Sequence, residues 1–201
     1  MNFVISEAPI AEVGKLAAVP VAFQVEQIFQ VGPRDPATGA YALTTQPVAT
    51  PFRKNYDGLR GESPRDWAQH FDLTNWGFIQ ARAEGTRVGG AVIAFNTPGV
   101  DLLEGRSDLA LLWNIRVAPP ARRHGIGTAL FRAAEAWAVA RGCRELKVET
   151  QNINVPAGRF YARMGCTLRT IDRQAYKILP DEIQLLWYKT LPAAQEMEDG
   201  R

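Results

Sequence analysis

"ARRHGIGTALF", residues 121–131, follows a run that reads as a β-strand and opens a run that reads as a helix. Two arginines precede Gly125-x-Gly127, and a long apolar stripe comes after. At a helix start the first backbone N–H groups lack intrahelical partners, and the peptide dipoles present their positive end. An anion can occupy that position. Gly125 and Gly127 withhold side chains that would keep an anion's oxygens away from the N–H groups, and Arg122 and Arg123 add charge that pairs with phosphate. The stretch is expected to hold a pyrophosphate; the plainer reading is a tight turn flanked by solvated arginines. A dinucleotide fingerprint does not fit, because its third glycine position is Leu130 and two prolines separate strand from glycines. A Walker-type G-x-x-x-x-G-K-[ST] loop is absent as well.

Working outward, "DLALLWNIRVA" (108–118) alternates as a strand does, with Leu109, Leu111, Trp113, Ile115 and Val117 on one expected face and Leu112, Asn114 and Arg116 on the other. "ALFRAAEAWAVARG" (129–142) carries apolar residues at helical spacing, closed by Gly142. "RELKVETQ" (144–151) is a strand with Leu146, Val148 and Thr150 on one face and Lys147, Glu149 and Gln151 on the other. Strand, helix and strand make a βαβ unit, hence two parallel strands with a right-handed crossover. Upstream, "NWGFIQARAEGTRVGGAVIAFN" (75–96) reads as a hairpin turning at "EGT". "SPRDWAQHF" (63–71) opens like a helix capped by Ser63. "PVAFQVEQIFQV" (20–31) and "AYALTTQPVAT" (40–50) read as strands, "GPRDPATG" (32–39) as a turn and "PFRKNYDGLRGES" (51–63) as a loop. Downstream, "NVPAGRFYARMG" (154–165) is a shorter helix, followed by strands "CTLRTIDRQAYKI" (166–178) and "EIQLLWYKTL" (182–191). Residues 193–201 read as a polar, disordered tail.

Composition narrows the function. With 201 residues, 23 Lys and Arg against 21 Asp and Glu, the chain can bury a full core and shows no global pull towards nucleic acid or a membrane surface. No run approaches a spanning helix, and the start lacks the basic and apolar regions of a secretory signal. Cys143 and Cys166 lie in no CxxC or Cys/His cluster, so no metal is expected, and they read as reduced thiols of a cytoplasmic protein.

With these elements in place, "LLWNIRV" followed by R-x-x-G-x-G at Arg122–Gly127 resembles the acetyl-CoA motif of the GCN5-related N-acetyltransferase (GNAT) family. Asn154, Ala157, the pair Phe160-Tyr161 and Gly165 match that family's second motif in order and spacing. The likeness covers roughly residues 75–190, with 1–60 an N-terminal elaboration and 1–192 a single domain. "VETQNINVPAGRFYARMGCTLRTID" (148–172) and "LLWYK" (185–189) are, more narrowly, similar to the streptothricin acetyltransferases. The resemblance implies an α/β (α+β) fold: a mixed central sheet, helices on both faces, splayed at one parallel strand pair.

The resemblance also implies roles. Ile115 and Val117 would pair backbone groups with the pantetheine arm, and an N–H near Val117 would polarise the thioester carbonyl. The main chain of Arg123, His124, Gly125, Ile126, Gly127 and Thr128, with Arg122, would hold the pyrophosphate. Asn154 would bind the pantetheine arm or cap the second helix. Tyr161 would be the general acid to the departing thiolate. A general base must take a proton from an alkyl ammonium whose pKa is about 10.4, and Glu149 is the first candidate. Asn114 stands where relatives often carry an acid, and it cannot serve as a base. Tyr56, Asn114, Asp172 and Tyr176 are candidates for the acceptor site. The expected reaction is direct acetyl transfer from acetyl-CoA to a primary amine, most simply on a small molecule such as a streptothricin-like antibiotic, which would confer antibiotic resistance. A protein N-terminus or lysine as acceptor, a non-catalytic acyl-CoA sensor, and a homodimer are the alternatives left open.

Overall fold

The computed structural model describes residues 1–37, 39 and 41–193. In chain order the elements are β1 (Val4–Glu7), a 3-10 segment (Ile10–Ala18), β2 (Phe23–Arg34), β3 (Tyr41–Lys54), α1 (Trp67–His70), β4 (Gly77–Ala83), β5 (Thr86–Phe95), β6 (Leu109–Val117), α2 (Ile126–Val139), β7 (Glu145–Gln151), α3 (Val155–Arg163), β8 (Thr167–Asp172) and β9 (Gln184–Thr190). Seven strands form one mixed sheet in the order β1-β4-β5-β6-β7-β9-β8, and β2 with β3 forms a separate two-stranded ribbon. The parallel pair is β6 and β7, as the βαβ reading requires. The expected disordered tail lies, but for Ala193, outside the described residues.

The chain divides into two compact units. The first holds Met1–Ala22, Asn55–Leu146 and the described residues from Thr190; the second holds Phe23–Lys54 and Lys147–Lys189. In the first unit β4 and β5 form the expected hairpin, with Ala83 paired to Thr86. Glu84 (φ 49°) and Gly85 (φ 77°) are both left-handed, the conformation of a two-residue turn that follows the strands' twist. Neighbouring glycines on β5 mark the two faces of this sheet. A Cβ on Gly89 would meet Leu130 and Ile126 of α2, whereas one on Gly90 would meet Leu16 of the 3-10 segment and Phe78. The core on the second side gathers Val13, Leu16, Val19, Phe78, Val92, Leu111 and Trp67. Trp67, Phe71, Trp76 and Trp113 cluster there, Phe71 stacked on Trp76 and the other rings edge-on or tilted, with Trp76 and Trp113 centroids 5.1 Å apart. Helix α2 ends as expected: Gly142 is left-handed (φ 77°), and the N–H groups of Gly142 and Cys143 close onto the carbonyls of Val139 and Ala138.

In the second unit α3 packs on β2, where a Cβ on Gly158 would lie 2.6 Å from the Phe29 ring. The Phe29 N–H donates to the Asn152 carbonyl at 2.9 Å. Lys54, at the end of β3, pairs with Glu182 ahead of β9. Lys147 is wholly buried, its ammonium 5.0 Å from the centre of the Tyr188 ring.

Several expectations are corrected. Strand β6 does not keep one alternation along its length: Val92 pairs with Asn114 but Ile93 with Leu112, so Trp113 is an extra, bulged residue. Beyond it the faces exchange, and Asn114 and Arg116 share the side of Leu111 while Ile115 and Val117 share that of Leu112. Ser63 does not cap a helix; residues 63–66 form a turn closed by the Asp66 N–H on the Ser63 carbonyl, and α1 is one turn starting at Trp67. Residues 51–54 are the end of β3 and 32–34 the end of β2, both held by ladder pairing that turn-prone composition did not reveal. The last residues of 166–178 are not strand, because Asp172 Oδ1 accepts the Gln174 N–H at 2.7 Å and turns the chain. Strand β1 and the 3-10 segment were not foreseen.

Candidate active site

The loop that leads into α2 is built around two left-handed residues. After the Pro119–Ala121 turn, Arg122 is extended, Arg123 has φ 68° and Gly125 φ 83°. Holding a non-glycine residue there costs about 1 kcal/mol or more. No side chain caps the helix at Gly125, so its first N–H groups are left for an acceptor from outside. The space where a Gly125 Cβ would stand is open. Arg122 Nε donates to the Val117 carbonyl at 3.0 Å, tying the loop to the end of β6. His124 is exposed, its Nδ1 2.9 Å from the Arg122 carbonyl. Ile126 faces the core, Gly127 is half-buried and Thr128 is exposed.

Ile115 and Val117 are half-buried on β6. On the opposite side Asn114 Oδ1 accepts from Arg116 Nε at 2.8 Å. The Arg116 guanidinium also grips Asp57 through two bonds of 2.7 and 3.0 Å and donates to the Val19 carbonyl at 3.2 Å. Its side chain is 2% exposed, and Asp57's 18%. Asn114 thus supports a buried fork–fork ion pair, which fixes the short turn starting at Tyr56. Arg116 and Asp57 escaped the sequence reading, although a lone arginine inside an apolar strand does signal that a partner must exist.

The second unit carries the other candidates. Glu149 and Gln151 are two apart on β7, and both meet Tyr176. The Tyr176 hydroxyl donates to Glu149 Oε1 and accepts from Gln151 Nε2 at 3.1 Å. Burial and the negative Glu149 push the Tyr176 phenol well above its ordinary value. Asn154 Oδ1 accepts the Ala157 N–H at 3.3 Å, so it caps α3. Tyr161, on α3, is 5% exposed. Burial, with Cys166 nearby, drives its phenol far up, so it keeps its proton at neutral pH. Asp172 lies at the exposed end of β8, in the lining of a depression of about 380 Å³ formed also by Val31, Gly32, Tyr41, Ile171, Arg173 and Gln174. The structure therefore brings Glu149 and Tyr176 together, sets Asn114 behind the turn of Tyr56, and leaves Asp172 apart from Glu149's bonds. Among the described residues no group of His, Cys, Asp and Glu is arranged to hold a metal ion.

Comparison with known proteins gives this geometry a family. The streptothricin acetyltransferase of Streptomyces lavendulae is 28% identical over 170 residues, spanning 85% of this chain and 84% of that protein. Streptothricin acetyltransferase A of Bacillus subtilis (strain 168) is 38% identical over 81 residues, spanning 39% of this chain and 47% of that protein. The crystal structure of nourseothricin acetyltransferase superposes with a TM-score of 0.71 at 25% identity, covering 96% of this chain and 100% of that one. A Bacillus anthracis str. Ames structure in complex with acetyl coenzyme A shares the fold, with a TM-score of 0.75 at 21% identity over 94% of this chain and all of that one. The model of the acetyltransferase (GNAT) family matches residues 48–166, more than half of the chain, and the protein therefore belongs to that family of acetyl-CoA-dependent N-acetyltransferases.

Proposed function

We propose that this enzyme acetylates a primary amine of a small, streptothricin-like antibiotic by direct attack on acetyl-CoA, in the cytoplasm. The observation that carries the acceptor is the likeness to the Streptomyces lavendulae streptothricin acetyltransferase along 85% of this chain. No described helix is long and apolar enough to cross a membrane.

In this reading the N–H groups from Arg123 to Thr128, with the Arg122 and Arg123 charges, take the pyrophosphate. The β6 backbone at Ile115 and Val117 takes the pantetheine amides, and Asn154 adds to that arm by way of the helix it caps. Glu149 removes the ammonium proton directly or through one water. The free amine attacks the thioester carbonyl, the tetrahedral intermediate collapses, and the C–S bond breaks. Tyr161, whose phenol stays protonated at neutral pH, donates a hydrogen bond to the departing sulfur, and the proton that the attacking nitrogen loses on becoming an amide passes to that sulfur through the hydroxyl or to solvent. The products are the amide and coenzyme A, and no covalent enzyme intermediate is required. Asn114 acts through Arg116, since it has no proton to exchange.

The test is thiol release from acetyl-CoA by wild type, Tyr161→Phe and Arg122→Ala with streptothricin, aminoglycosides, polyamines and short peptides. Turnover of streptothricin is expected, with kcat lowered about a hundredfold in Tyr161→Phe and the acetyl-CoA KM raised in Arg122→Ala. Turnover of peptides alone would redirect the acceptor to a protein amine. Tight acetyl-CoA binding with no turnover of any amine would favour a sensor.

A further inference from the structure

Glu149 does not stand alone on its strand. Gln151, the next residue on the same side of β7, donates to the Tyr176 hydroxyl. That occupies a lone pair of the phenol oxygen and leaves its one proton to point at Glu149, whose Oε1 accepts it. Tyr176 comes from the connection between β8 and β9, and both ends of this connection are tied. At the start, Asp172 turns the chain through the Gln174 N–H. At the end, Asn152 and Ile183 exchange two bonds, of 2.9 Å between backbones and 2.8 Å to the Asn152 side chain. Glu182, beside it, is paired with Lys54. The charged and titratable groups facing Tyr176 are thus Glu149 on β7 and Glu182 ahead of β9, the latter already neutralised by Lys54. Between the anchors Ile178 is 76% exposed, so this connection is not held by a buried apolar residue there. Polar bonds tie both of its ends, and the one Tyr176 donates ends on the proposed base.

We propose that Tyr176 is a positioning residue that fixes the Glu149 carboxylate for proton removal, with Gln151 orienting the phenol. This rests on the reading of Glu149 as general base. One carboxylate oxygen, Oε1, receives the tyrosine proton, which fixes the carboxylate's rotation and leaves Oε2 as the oxygen that meets the ammonium or its water. A carboxylate on a strand side chain has free torsions, and a misplacement of about 1 Å can cost a hundredfold in rate. No bond of the reaction is made or broken on Tyr176.

The experiment compares wild type, Tyr176→Phe, Glu149→Gln and the double variant by thiol release from acetyl-CoA with streptothricin at pH 7 and pH 9. Tyr176→Phe is expected to lower kcat about tenfold or more at pH 7, with the acetyl-CoA KM within about twofold of wild type. Its deficit should shrink at pH 9, where more amine is already neutral and less depends on a base, as should the deficit of Glu149→Gln. Adding Tyr176→Phe to Glu149→Gln should change kcat by less than about twofold, because a residue acting through another has no effect once that partner is gone. Gln151→Leu, which spares both groups, should show a smaller deficit of the same kind. Equal losses from Tyr176→Phe in both backgrounds, or a deficit independent of pH, overturn the positioning role while leaving Glu149 as base. Wild-type kcat in Glu149→Gln overturns the base reading itself. Unchanged thermal midpoints show that the variants fold. If wild type does not turn over streptothricin, the acceptor reading alone fails, and the same comparison is made with whichever aminoglycoside, polyamine or peptide amine the enzyme does acetylate.

Discussion

At the scale of single residues, the Arg116 and Asp57 pair shows how a charge in an apolar strand constrains a distant loop. The guanidinium spends all its reach on Asn114, Asp57 and the Val19 carbonyl. Removing one partner of a buried pair leaves the other charge uncompensated, which costs about 3–5 kcal/mol. Because Asp57 keeps 18% exposure, Asp57→Ala should fall at the lower end of that range, and Asp57→Asn, which retains an acceptor, should lose clearly less. Urea denaturation measures both; equal and small losses would mean that the pair holds nothing in place. Asn114 is instructive as well. Its residue type excluded a base, and the structure places its oxygen on Arg116, so it serves the ion pair.

At the scale of elements, the contact of α3 with β2 depends on a position with no side chain. A Cβ on Gly158 would stand 2.6 Å from the Phe29 ring and 3.2 Å from Trp187. Two aromatic rings cannot both yield in a packed interior. Gly158→Ala should destabilise the protein by about 1–3 kcal/mol, and Phe29→Leu added to it should recover part of that loss, read as a thermal midpoint. No recovery would place the strain elsewhere in α3. The bulge at Trp113 is the other element-scale device. One extra residue exchanges the faces of β6, so that Arg116 reaches the side of Val19 and Asp57 while Val117 lies on the side of α2. Strict alternation from the sequence assigns both to the wrong face, because a period of two cannot show where a residue is inserted.

At the scale of the molecule, each compact unit contains one buried cysteine, Cys143 in the first and Cys166 in the second. Strand β7 contributes residues to both units, so they should unfold in a single step. Alkylation of the two thiols at increasing urea should then follow one shared transition; two separated transitions would show independent units. Burial also pushes the Cys143 thiol up to about 11, whereas an unfolded thiol titrates at about 8.5. Between these values the unfolded chain releases the proton and the folded chain keeps it, so the unfolded state binds fewer protons and stability falls with rising pH. The contribution is complete below the unfolded value and is lost by about pH 11. Cys143→Ala should flatten this part of the stability profile; an unchanged slope would assign it to other groups.

The sequence by itself determined what depends on local periodicity and special residues. The βαβ unit, the hairpin at Glu84–Gly85, the close of α2 at Gly142 and the glycine loop at the mouth of α2 were all legible. Each is written in neighbouring residues whose backbone demands are local. The family resemblance was legible for the same reason, since both of its motifs are short and continuous. Only the tertiary structure decided which side of β6 each residue takes, that Asp57 answers Arg116 across 59 positions of chain, that Lys147 is wholly buried beside Tyr188, and that Tyr176 bonds Glu149 across 27. Those pairings depend on where separate segments meet. A polar side chain shows that it needs a partner, but which partner it finds is set by packing.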